Sequence, residues 1–154
     1  MKSIDKFLGA ALVFLMALMT LGCLWQVVTR FILSNPSKYT EEFLRYALIW
    51  LTMLGAPYAY GQYKHIAFQF ITAKFQPQNL LRNKIIIECI VLFLSISVFV
   101  VGGIMVTLNS SGQISPAMQM PMEFYYVGLP ISGILTSLYC IKHLSAYFKE
   151  MKEA

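Results

Sequence analysis

Residues 7–29 run for twenty-three positions without an Asp, Glu, Lys or Arg, and comparable uncharged runs recur at 46–63, from 89 onward and at 124–141. This repetition constrains the fold more than any other feature of the chain. About 20 apolar residues cross a bilayer as a helix. Inside hydrocarbon every backbone N–H and C=O must be satisfied within the protein, which selects helices for segments of this kind. With 12% charged residues and a mean hydropathy of +0.64, the chain falls far below the roughly 25% charge of a soluble domain. The sequence therefore predicts an all-α membrane protein, a single integral domain over 1–154. Its four transmembrane helices are placed near 7–33, 40–60, 85–108 and 123–141.

The first span follows Lys2, Asp5 and Lys6. A cleaved signal peptide also begins basic and then apolar, and Thr20-Leu21-Gly22-Cys23 has the look of a lipoprotein cleavage box. The apolar run continues past the cysteine to Leu33, so a retained helix is expected. Arg30 near its far end can snorkel or find a partner. Pro36-Ser37 then breaks the chain direction. Lys38–Tyr46 is the most charge-dense run between two apolar segments. Thr40 is the expected N-cap of the second helix. Glu41 and Glu42 fall in its first turn, where the helix dipole favours them. Arg45 is four residues from Glu41 and three from Glu42, within reach of either. This run is either a well-capped helix start at a membrane surface or a polar cluster that docks a partner. Arg30, Glu41, Glu42 and Arg45 are expected to gather into one cluster. Pro57 inside the second span predicts a kink.

The connection 61–84 carries Lys64, His65, Lys74, Arg82 and Lys84. Its middle, 66–75, places apolar residues largely on one side. That predicts either a short helix in the interface plane or a continuation of the second helix. Glu88 lies one turn inside the third span. It is a functional candidate because ionisable residues in spans usually are, and it is also placed to meet Lys84 at headgroup level. The uncharged loop 109–122, with Met118, Met120 and Met122 close by, offers either an adaptable contact surface for a partner or a lipid-resting one. Tyr125, Tyr126, Tyr139 and Tyr147 suggest interfacial belts. Residues 142–154 read as a short polar tail. Cys23, Cys89 and Cys140 have no metal or redox spacing and are expected in the core.

Lys and Arg set the orientation. Nine lie at the termini and the 61–84 connection, and three (Arg30, Lys38 and Arg45) on the other side. The positive-inside rule puts both termini in the cytoplasm. The basic residues flank spans and form no patch, so nucleic acid is not an expected partner. His65 and His143 lie outside the predicted span centres, which argues against a haem held between helices. No deep carboxylate marks a proton-driven exporter, and no triad, phosphate loop or metal cluster points to an enzyme. No cofactor is expected. Two alternatives stay open: an independent small oligomeric transporter using Glu88, and a non-transport membrane anchor subunit.

Gln26 and Arg30, Tyr39-Thr40-Glu41-Glu42, Trp50 with Leu54-Gly55, and His65-Ile66 together resemble the small membrane subunit of tripartite ATP-independent periplasmic (TRAP) transporters, the DctQ-like family. The likeness covers roughly residues 5–145. The family often has Trp at the place of Tyr39 and Asp near Gln69. The resemblance implies a scaffold subunit in the bacterial inner membrane. Its implied partners are a large elevator-type subunit that carries sodium coupling and a periplasmic substrate-binding protein. The implied substrate is an organic acid of the sialic acid or dicarboxylate type. Arg30, Glu41, Glu42, Arg45, His65 and Glu88 are then candidates for structural or interface roles, with no sodium or substrate ligand expected from this chain.

Overall fold

The computed structural model describes residues 2–62 and 80–153. The predicted interfacial segment 66–75 and His65 lie outside them. The elements are α1 (Lys2–Phe31), α2 (Lys38–Gly61), α3 (Leu80–Leu94), a π-helical segment π1 (Ser95–Gly102), α4 (Gly103–Asn109), the single turn α5 (Glu123–Tyr126) and α6 (Gly128–Glu153). Among the described residues the only strand-like pairing is an isolated bridge between Ile114 and Pro121. Among the described residues, three stretches are long and apolar enough to cross a membrane: Ile4–Phe31, Arg82–Asn109 and Glu123–Met151. α2 has 24 residues, a length of about 36 Å at 1.5 Å per residue, but its tyrosines and first-turn charges lower its hydropathy.

Several expectations are corrected. Ser37, not Thr40, caps α2: its Oγ accepts the Thr40 N–H at 3.3 Å and sits 2.9 Å from the Thr40 hydroxyl. The helix therefore starts two residues earlier than expected. The predicted polar tail is helical, because α6 continues through Glu153. Tyr125, Tyr139 and Tyr147 are buried rather than belted. Cys23 and Cys89 are exposed, and Cys140 alone of the three is in the core. Pro57 lies inside α2 and is fully buried.

The chain divides into two compact units. One comprises 1–55 and 105–128, the other 56–104 and 129–154. In the first unit α1 packs on α2 through small residues. A Cβ on Gly22 would lie 3.0 Å from Leu44, whereas one on Gly55 would lie 3.8 Å from Leu12. Glu42, Tyr46 and Trp50, spaced at i, i+4 and i+8, share one face of α2. Tyr46 stacks on Tyr125 with ring centroids 3.4 Å apart, and Trp50 tilts against Phe124 at 6.0 Å.

In the second unit one face of α6 (Pro130, Gly133, Ser137, Cys140, His143, Tyr147) receives α3 and π1. Glu88, Ser95 and Gly103 supply the other side of this seam. Glu88 meets His143, Ser95 meets Gly133 and Ser137, and Gly103 meets Pro130. Their spacing is seven and then eight. Residues seven apart stay within about 20° of each other round an α-helix, whereas eight apart drift by about 80°. The wider π turns between Ser95 and Gly102 absorb the extra residue and return Gly103 to the seam. A Cβ on Gly103 or Gly133 would come within 3 Å of α6 or π1 atoms, including backbone nitrogens. The absence of side chains at these two positions is what lets the helices meet.

Candidate functional site

In the first unit the loop after α4 is a small folded hairpin. Ser115 N–H donates to Met120 C=O at 2.9 Å, and Met122 N–H to Gln113 C=O at 2.9 Å. The tip presents two consecutive amides, Ala117 and Met118. Both donate to Glu42 Oε2, at 2.7 and 2.9 Å. A carboxylate accepting two backbone N–H groups makes charge-assisted bonds, about twice as strong as neutral ones. Glu42 is buried, so the loop closes over the acid rather than leaving it to solvent. Tyr46 extends the attachment by donating to Met122 Sδ at 3.4 Å.

Glu41 and Arg45 form a separate, exposed i,i+4 pair at 3.2 Å, of the kind that contributes little in water. Arg30 is exposed and, among the described residues, takes part in no ion pair. The expected four-residue cluster holds in part: Glu41, Glu42 and Arg45 line one groove of about 540 Å³, together with Lys38, Tyr39 and Gln119, whereas Arg30 is not among its lining residues. Glu42 also reaches a loop 75 residues away.

The second unit holds a polar cluster that sequence reasoning did not assemble. Glu88 was expected to meet Lys84 at headgroup level. Instead it is fully buried, and Lys84 Nζ sits 5.5 Å above the Tyr147 ring. Glu88 Oε1 lies 2.9 Å from His143 Nδ1, and Tyr60 OH donates to Oε2. Cys140 Sγ donates to the Tyr60 oxygen at 3.4 Å. Three helices thus meet at one carboxylate: α2 by Tyr60, α3 by Glu88, and α6 by Cys140 and His143. Tyr139 packs beside them, with Val91 and Leu92 at the edge. A buried acid in apolar surroundings requires such partners. The residues missed were Tyr60, Cys140 and His143. The i, i+3 spacing of Cys140 and His143 marks one helix face, but nothing in it pairs that face with Glu88. Among the described residues, no group of three or more His, Cys, Asp and Glu is arranged to hold a metal ion.

Long apolar helices, with polar side chains spent on joining helices to one another, define a multi-pass membrane protein. The comparisons narrow the class. A family model described as the DctQ component of tripartite ATP-independent periplasmic transporters matches residues 19–150. A Haemophilus influenzae protein described as a TRAP transporter small permease protein is 28% identical over 148 residues, covering 94% of this chain and 91% of that one. The chain belongs to the DctQ family, a family of transporter components whose members associate with other TRAP components.

Proposed function

We propose that this chain is the small accessory subunit of a sodium-coupled, binding-protein-dependent TRAP transporter of the bacterial inner membrane, with α2 as a fourth span and both termini in the cytoplasm. It braces a large elevator-type subunit that moves an organic acid of the sialic acid or dicarboxylate type, and sodium is bound by that larger subunit. The observation that carries this reading is the family match over residues 19–150, and α1 adds to it, because Phe7, Val13, Phe14, Leu21 and Leu24 are exposed on this chain. So much uncovered apolar surface must be covered by lipid or by another protein. An elevator works against a part that stays fixed, and a chain whose polar groups tie its own helices together suits that role. The folded loop held by Glu42 belongs, in this orientation, to the periplasmic face, where a substrate-binding protein would arrive.

The test is uptake in reconstituted vesicles containing the large subunit and binding protein, with and without this chain. Loss of uptake without it supports the brace, and unchanged uptake contradicts it. A second reading, in which the chain transports alone as an oligomer, draws on the buried Glu88. Transport by the purified chain that Glu88→Gln abolishes would favour it.

A further inference from the structure

Three charged side chains of the first unit open onto one groove with bonding capacity to spare. The groove, of about 540 Å³, is walled by the first turns of α2 and by the hairpin tip. Arg45 spends Nη2 on Glu41 Oε1 at 3.2 Å, and the two side chains are 70% and 61% exposed. Nε and Nη1 of the guanidinium and Oε2 of the carboxylate have no partner among the described residues. Lys38, also exposed on the groove wall, takes part in no ion pair among them. The fourth charge is already committed: Glu42 is buried, and its Oε2 holds the Ala117 and Met118 amides. The groove therefore offers two cationic donors and one anionic acceptor. A ligand that satisfies all three carries an anion able to accept from both donors and, next to it, a cation with N–H groups. A phosphate beside a primary ammonium is such a pair, and each of its bonds would be charge-assisted.

The surroundings fix the source of that pair. Lys38 follows the α1–α2 turn, where Phe31, Ile32 and Leu33 are exposed, and Tyr39 on the groove wall is 66% exposed. Tyrosine at the end of a span sits at headgroup level, and exposed apolar residues beside it give acyl chains a surface that a soluble phosphate compound would leave bare. We propose that this groove holds the headgroup of a phospholipid bearing a primary ammonium, of the phosphatidylethanolamine kind. Lys38 and Arg45 donate to its phosphate, and Glu41 accepts from its ammonium. Glu42 fixes the opposite wall through the two hairpin amides, so the groove is formed before the lipid arrives. The inference rests on the reading of α2 as a span, which puts these residues at the membrane surface.

The test places the full chain in nanodiscs of equal parts phosphatidylethanolamine, phosphatidylcholine and phosphatidylglycerol and identifies by native mass spectrometry the lipid that stays bound. Phosphatidylethanolamine is expected to be retained over the other two by about fivefold, the upper end of what one exposed ion pair supplies. Choline has no N–H to give Glu41, and the glycerol headgroup has no cation. Glu41→Ala is expected to bring phosphatidylethanolamine down to the level of phosphatidylcholine. Lys38→Ala is expected to weaken all three alike, because the phosphate is common to them. Both residues are exposed, so neither variant puts the fold at stake. Equal retention of the three lipids by wild type would overturn the proposal and leave the groove to a protein partner. A preference that survives Glu41→Ala would overturn it as well. Quenching of Trp50 by brominated acyl chains, in a Trp25→Phe background, tests α2 as a span. A quenched Trp50 without a lipid preference overturns this inference alone, whereas an unquenched Trp50 overturns the span and the inference with it.

Discussion

Glu88 Oε1 and His143 Nδ1 lie 2.9 Å apart with their side chains sealed from solvent, 55 residues apart in the chain. Glu88 serves both His143 and the Tyr60 hydroxyl, and breaking a buried pair by removing one partner costs about 3–5 kcal/mol. Glu88→Ala is therefore expected to lower unfolding stability by that order. Glu88→Gln, which can still accept from the imidazole, should lose less than half as much. Denaturant titration of the purified chain in detergent measures both, and equal losses would contradict the pairing.

Glu42 predicts a local effect. Its Oε2 takes the Ala117 and Met118 amides, and hydrogen bonds to a charged group contribute about 1.5–3 kcal/mol each. Glu42→Ala should release the loop tip while leaving the helices intact. Hydrogen exchange at the 117 and 118 amides is expected to speed up by at least tenfold. Exchange in α6 should not change. If the amides stayed protected, another acceptor would have to hold them.

Two glycines separate close packing from mere flexibility. A Cβ on Gly133 would lie 2.8 Å from Phe99 and 2.9 Å from the Val100 backbone nitrogen, whereas one on Gly55 would meet only Leu12, at 3.8 Å. Overpacking costs about 1–3 kcal/mol, so Gly133→Ala should destabilise by that order. Gly55→Ala should be neutral or stabilise, because alanine favours a helix interior by up to about 1 kcal/mol over glycine. Thermal melts of the two variants side by side give the comparison.

The seven-then-eight seam makes a prediction about length. Deleting the exposed Val98 shortens the Ser95–Gly103 interval to seven. Regular α-turns would then keep Glu88, Ser95 and Gly103 on one face. The variant is expected to melt within a few degrees of wild type with π1 converted to α-helix. Deleting the exposed Ile90 instead rotates Glu88 away from Ser95 and should destabilise strongly. Equal melting of the two deletions would contradict the account of π1.

How much of this was legible in the sequence follows from the range of each signal. Apolar runs are local, so the helices were located by them but not all of their ends: α1 and α3 each begin five residues earlier than expected and α6 runs twelve residues past 141, because a helix can continue into polar sequence. The start of α2 moved because Ser37 and Thr40 are both competent caps and only the backbone path selects between them. Arg45 was rightly placed within reach of Glu41, since an i,i+4 pair is fixed by helix geometry alone. The partners of Glu42 and Glu88 depend on contacts 75 and 55 residues away, which no local pattern encodes. The tyrosines misled for a related reason: Tyr suits both an interface and a core that can satisfy its hydroxyl. π1 was invisible because an extra residue in a seam shows only once the partner helix is known.

The central claim is that this chain braces a larger transport subunit. The most direct measurement is the native mass of what the tagged chain brings with it from its own host in nanodiscs, together with sequencing of any partner. The account predicts one copy of this chain with one copy of a much larger multi-span membrane protein. A mass corresponding to the chain alone, or to an oligomer of itself, would contradict it.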